Sequence, residues 1–199
     1  MPGSLEAGKL YAYATISKLH EAEAIRRVLD IGPGQGTWHE ILRLDDAHWT
    51  GVEVWGPYVM AFALERVYDR IIHGDARWVD WRKVGPVDLA ICGDVLEHMP
   101  ERDAVALVGD LLKTARLVLI SLPVVNYPQD ATENPFEEHV EADWTDERVR
   151  GAFPAIRIGH VDGPIGVYLL TEDPAMAERL VTLHAALRPI LEQMGQTPA

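Results

Sequence analysis

Short apolar runs, most of them stopping at a glycine or an acidic residue, alternate along the chain with stretches whose apolar positions recur at helical spacing. This alternation predicts an α/β fold: a mostly parallel sheet with crossover helices. A first helix is expected at about 9 to 24, within an N-terminal segment 1–24. Val28, Leu29 and Ile31 in RRVLDIG then form a buried strand that stops at Gly32. Thr37 is expected to cap a helix running through about Leu44. The strand HWTGVEVW follows, and Gly56-Pro57 starts the next helix. RIIHGDA and VDLAICGDV are the third and fourth strands. Between Pro100 and Thr114, Ala104, Val105, Val108, Leu111 and Leu112 mark one helical face, and ARLVLISLP supplies a fifth strand ended by Pro123.

The periodicity then fails. The stretch 124–144, with Pro128 and Pro135, is expected to be a long surface loop that covers a site. AIRIGHV and IGVYLLT follow, separated by Asp162-Gly163-Pro164, so the last two of seven strands are expected to form an antiparallel C-terminal hairpin. A final helix at 174–194 carries the apolar stripe Met176, Leu180, Leu183, Leu187, Ile190 and Met194. Packing of that stripe on the protein's own sheet is the first expectation, and a homodimer seam is the second. Pro189 and the short run argue against a coiled coil.

Length and charge narrow the reading further. At 199 residues the chain has the size of one domain, 1–199. The formal charge of -13, with no run of basic residues, opposes the counterion release on which nucleic-acid binding depends. Absence of a long apolar run or an N-terminal basic-then-apolar segment leads us to expect a cytoplasmic protein that does not engage membranes. The lone cysteine, Cys92, lies in an apolar run and reads as a buried thiol.

Gly32-Pro33-Gly34-Gln35-Gly36 lets the backbone turn sharply at the end of the first strand and approach a ligand closely. Its spacing differs from the dinucleotide fingerprint, because Thr37 stands where the last glycine of that fingerprint would be. Glu53 ends the second strand, where a carboxylate can accept both hydroxyls of an adenosine ribose. The third and fourth strands end in HGDA and GDVLEHM, and all these ends converge on one crevice.

In that order, VLDIGPGQGTW, GVEVW, HGDARW and DLAICGDVLEHM resemble the successive motifs of class I S-adenosylmethionine-dependent methyltransferases, over roughly residues 25 to 125. The resemblance implies a Rossmann-like three-layer sandwich, S-adenosylmethionine as cofactor and S-adenosylhomocysteine as product. It assigns Asp30 and the glycines Gly32, Gly34 and Gly36 to the methionine end, Glu53 to the ribose, Asp75 with Ala76 to the adenine, and Asp94 to a place beside the methionine portion. Glu97 and His98 follow the family pattern D-V-L-E-H, which makes His98 a candidate catalytic residue. Asn-Pro-Phe-x-x-His in the long loop is similar to a stretch in methyltransferases of sugars and small natural products. His139 is therefore the candidate base, with Asn126, Tyr127, Phe136 and Trp144 as candidate acceptor contacts.

The expected partner is a small-molecule acceptor methylated on oxygen or nitrogen, with nucleic acid disfavoured. An RNA or protein acceptor, or a non-catalytic cofactor-binding subunit, is the alternative. No metal site is expected: Asp94, Asn126 and Asp130 would have to be gathered as ligands, and no spacing enforces that. Glu133, Glu137, Glu138, Glu141 and Asp143 read as a solvated acidic face.

Overall fold

The structure, a computed structural model, describes residues 7–23 and 25–193. Its strands are β1 (Arg27–Ile31), β2 (His48–Glu53), β3 (Arg70–His73), β4 (Val87–Gly93), β5 (Ala115–Pro123), β6 (Ile156–Asp162) and β7 (Ile165–Leu170). Its helices are α1 (Lys9–Glu23), α2 (Thr37–Leu42), α3 (Gly56–Ala61), α4 (Trp81–Val84), α5 (Glu101–Thr114), α6 (Asp146–Ala152) and α7 (Pro174–Gln193). The sheet order is β3-β2-β1-β4-β5-β7-β6. β1 to β5 run parallel, and β7 inserts antiparallel between β5 and β6.

Because successive side chains on a strand point to opposite faces, strands buried on both sides need a core on each. Val28, Leu89, Ile91, Leu117 and Leu119 pack into one core with α1, α2 and α7. Their neighbours Leu29, Ile31, Ala90, Cys92, Val118 and Ile120 pack into the other with α4, α5 and α6. The result is the three-layer sandwich expected. Burial pushes the Cys92 thiol up, so it is an inert core group.

The terminal hairpin also forms as expected. Asp162 pairs with Ile165, leaving Gly163-Pro164 as the connection, with Gly163 in the left-handed region at φ +56°. Met176, Leu180 and Leu187 of α7 are buried in the first core, against α1 and β6, whereas Ile190 is 53% exposed. The stripe therefore serves the protein's own core for most of its length. α7 continues through Pro189, and Met194 and Ala24, the ends of two expected helices, lie outside the described residues.

Two local expectations need correction. The cap of α2 is Gly36, at φ +84°, and Thr37 is the first helical residue; the helix stops at Leu42, where Arg43 turns left-handed. A glycine there makes the turn without the side-chain bond a threonine cap would supply. α4 and α6 were not expected, because four and seven residues are too few to show a period. The signal for α6 was its cap: Thr145 Oγ1 accepts from the Arg148 N–H at 3.1 Å.

Candidate active site

β1 and β4 are adjacent, but the chain leaves β1 toward β2 on one side and β4 toward β5 on the other. The connections diverge at this switch point and open a crevice beyond the carboxyl ends of the strands. A cavity of about 220 Å³ lies there, walled by the glycine loop, the ends of β2 and β4, and the long loop after β5.

The glycine loop takes the shape its sequence predicts. Gly32, Gly34 and Gly36 have φ of +63°, +55° and +84°, a region that L side chains enter only at a cost. Gly32 also faces a second constraint, since a Cβ there would stand 2.7 Å from Val95 Cγ2. Gly32 and Gly34 line the cavity, whereas Gly36 is buried behind it as the cap of α2. Trp38 on α2 lines the cavity too. Its indole packs where a Gly93 side chain would stand, and its buried Nε1 has no hydrogen-bond partner among the described residues.

The acidic positions differ in how they are held. Glu53 is 3% exposed; its Oε1 accepts from the Trp55 N–H at 2.7 Å and its Oε2 from the Gly34 N–H at 3.4 Å. Burial raises its pKa, and these N–H bonds oppose the rise. The carboxylate is thereby fixed across from the glycine loop, with lone pairs left for a ligand. Asp30 is fully buried and lies behind the cavity wall, with Oδ2 accepting from the Tyr68 hydroxyl at 2.6 Å. Burial pushes it up to about 7.

Asp75 lines the cavity and caps the turn at Ala76–Trp78, accepting from the Arg77 N–H at 2.9 Å. The Arg77 guanidinium bonds both of its oxygens and reaches Asp103 at 3.4 Å. Burial raises the Asp75 carboxyl, but the Arg77 bonds outweigh it and leave the group below the usual range. Ala76 is buried in the same wall. Asp94, at φ +55°, is a non-glycine residue in the left-handed region, held there by its N–H bond to the Ser121 carbonyl at 2.7 Å. Such strain concentrates where a side chain must be aimed, and Asp94 lines the cavity.

The loop closes the opposite side. It is cross-braced by Tyr127 N–H to Ala142 O at 2.8 Å and His139 N–H to Gln129 O at 2.9 Å. The Glu141 N–H donates to Glu97 O at 3.0 Å, fastening the loop to the turn Leu96–His98. Tyr127, Phe136 and His139 line the cavity as the sequence suggests, and His98 joins them. The His98 and His139 rings meet edge to face with centroids 4.9 Å apart. Burial holds His98 below the usual imidazole value. Burial, and then the Asp94 carboxylate, push Glu97 well above the usual carboxylate range.

Several sequence expectations are corrected here. Trp144 is 1% exposed in the second core, stacked on Phe153 at 6.0 Å with the Arg148 guanidinium 4.6 Å from its ring. It anchors the end of the loop and is no cavity residue. Asn126 is exposed and stands outside the cavity wall, as does Asp130, whereas Asp94 lines it. The acidic run is only partly a solvated face. Glu141 and Asp143 bind Arg148, which also bonds Glu101 of α5 at 2.7 Å, and Glu137 Oε1 accepts from the Tyr58 hydroxyl at 2.5 Å.

Tyr58, Gln129, Asn134 and Glu137 are cavity residues that the sequence reading missed. Asn134 carried a readable signal: Asn before Pro-Phe forms an Asx turn, its Oδ1 accepting from the Phe136 N–H at 2.9 Å. Tyr58 follows Glu53 on α3, a helix that starts at the same crevice.

The sheet order with its reversed β7 and the glycine cradle at the β1/β4 switch point define the class I methyltransferase fold. Residues 29–119 match the family model of a methyltransferase domain, and the fold around them is that of the class I S-adenosylmethionine-dependent methyltransferases. No curated protein matches the sequence. Among solved structures, an S-adenosylmethionine-dependent methyltransferase from Clostridium acetobutylicum ATCC 824 is 12% identical with TM-score 0.62, covering 84% of this chain and 92% of that one. The N-terminal domain of EvdMO1 in the presence of SAH and D-fucose is 13% identical with TM-score 0.58, covering 83% of each chain. An O-methyltransferase family protein from Burkholderia thailandensis is 14% identical with TM-score 0.57, covering 82% of this chain and 55% of that one. At these identities the likeness establishes the fold. Among the described residues no helix is long and apolar enough to cross a membrane.

Proposed function

We propose that this methyltransferase acts on an oxygen or nitrogen of a small molecule, a sugar or secondary metabolite, held beneath the loop 124–144. The observation that carries the reading is the cavity's two-sided wall: the glycine cradle and Glu53 on one side, and the histidine pair with Tyr127 and Phe136 on the other. The solved likenesses that name SAH with D-fucose, and O-methyltransferase, point in the same direction.

S-adenosylmethionine supplies an electrophilic methyl group on a sulfonium sulfur and leaves as S-adenosylhomocysteine. The residues present fit it. The bare Cα atoms of Gly32 and Gly34 allow close approach of the methionine end, which Asp94 flanks, while Asp30 and Gly36 support the loop from behind. Glu53 offers acceptor lone pairs to the ribose hydroxyls, and Asp75 with Ala76 lies at the adenine side. On the acceptor side, Tyr127 and Phe136 position the substrate in line with the methyl, and Asn126 stands at the loop's start. His139, with His98 beside it, takes the proton that a hydroxyl or protonated amine must release.

The test is transfer of labelled methyl from S-adenosylmethionine to separate pools of sugars and small metabolites, RNA, and protein. Label in the small-molecule pool is expected. Label confined to RNA or protein would overturn the acceptor class, and no transfer by a chain that binds S-adenosylhomocysteine would favour a non-catalytic subunit.

A further inference from the structure

The geometry points to a divalent-cation site built from the Glu97 carboxylate and the Nε2 atoms of His98 and His139, on the acceptor wall of the cavity, for an ion of the manganese-to-zinc series. The inference deepens the acceptor-side reading and rests on it for its purpose; the site itself rests on the arrangement of its ligands.

One ligating atom from each of the three residues lies within 4.8 Å of the other two. They come from distant segments: Glu97 and His98 follow β4, and His139 arrives with the loop after β5. A sequence reader sees no metal spacing for that reason. The two histidines are held in the same way. His98 Nδ1 is 3.0 Å from the Glu138 carbonyl oxygen, and His139 Nδ1 is 2.6 Å from the Tyr127 carbonyl oxygen. A carbonyl only accepts, so in both rings Nδ1 carries the hydrogen and Nε2 keeps its lone pair. Metal-ligating histidines are oriented by this same bond from the other ring nitrogen to a backbone carbonyl.

The third ligand adds an independent observation. Glu97 is 2% exposed and lines the cavity, and its Oε2 has no hydrogen-bond partner among the described residues. A buried carboxylate oxygen left unbonded is costly and calls for an explanation. A cation shared with two imidazoles supplies one. The turn holding Glu97 and His98 is also tied to the loop holding His139, through Glu141 N–H to Glu97 O at 3.0 Å, so the ligands arrive as a braced unit.

The donor set selects the ion. Two imidazoles and one carboxylate suit zinc, cobalt, iron or manganese, whereas calcium needs six or more oxygens. Three protein ligands leave coordination positions open toward the cavity, as in catalytic sites. An acceptor hydroxyl bound there would lose its proton to water more readily. With the ion bound, both Nε2 lone pairs are taken and the histidines serve only as its ligands; without the ion, His139 is the base.

Cobalt(II) is the probe, followed by its visible absorption as it is added to the full chain. We expect about one equivalent bound per chain, displaced by zinc(II), with an unchanged titration for the remote His48→Ala control. His139→Ala and Glu97→Gln should each weaken binding at least about 100-fold. S-adenosylhomocysteine binding by the same variants reports that they are folded. His139 lies on a half-exposed loop, so its variant keeps the test readable even if the buried Glu97 change harms folding. Well under one equivalent on the unaltered chain, or unchanged cobalt affinity in folded His139→Ala, overturns the site. Cobalt binding without small-molecule methylation would sink the acceptor class and leave the cation site standing.

Discussion

The two walls of the cavity are built by different means. The wall we assign to the cofactor is made where strands end: Gly32 and Gly34 after β1, Glu53 at the end of β2 and Asp94 after β4, each within a residue or two of a sheet hydrogen bond. The wall we assign to the acceptor is made by an irregular loop whose shape comes from its own backbone bonds and from a few side-chain anchors, Asn134, Trp144 and Arg148. A wall carried by a parallel sheet can change little without disturbing the core. A wall carried by a loop can change while the cofactor wall stays as it is, which is how one fold serves many acceptors.

If the walls are separable, the largest effect should fall on one of them alone. His139→Ala is expected to lower turnover about 10²- to 10⁴-fold, the range for loss of a proton-transfer group, with S-adenosylhomocysteine affinity within about twofold of the parent. Steady-state kinetics beside calorimetry would show this, and equal losses in both would join the walls together.

Arg148→Ala sharpens the same contrast structurally. Arg148 bridges Glu101, Glu141 and Asp143 and covers Trp144, fastening the loop's end to α5. Its loss should cost about 1–2 kcal/mol of unfolding free energy and raise the acceptor KM more than the cofactor KM. Denaturant unfolding and the two KM values are the readouts.

The walls differed in legibility for the same reason that they differ in construction. Strand runs ending in GPGQG, VE, GDA and GDVLEH could be read because sheet strands are continuous in sequence and their ends share one side. The hairpin was legible from the turn Asp162-Gly163-Pro164. Loop placement was legible only in outline: Tyr127, Phe136 and His139 reach the cavity, but Trp144, an aromatic of equal promise in sequence, turns into the core against Phe153. Nothing local in the sequence distinguishes these aromatics, because the direction of each is set by packing partners far along the chain. Glu137, read as a solvated acid, is likewise claimed by Tyr58 from another segment.

A smaller effect concerns Asp30 behind the cofactor wall. Its folded value of about 7 lies above that of an unfolded carboxyl, so between these values the native chain holds a proton that the unfolded chain has released. The resulting stability is full below about pH 4 and is lost as the pH rises through 7, at a slope of roughly 1 kcal/mol per pH unit. Asp30→Asn should flatten that slope in thermal melts taken from pH 5 to 8 and melt higher than the parent at pH 8. A slope unchanged by the substitution would remove Asp30 as its source.

The assignment of the cofactor wall is tested most directly by calorimetric titration of S-adenosylhomocysteine into the parent chain and Glu53→Ala. We predict a single site in the parent and about 10- to 100-fold weaker binding in the variant, the cost of losing hydrogen bonds to a buried carboxylate. No binding by the parent at high micromolar ligand, or the same affinity in both proteins, would contradict the account.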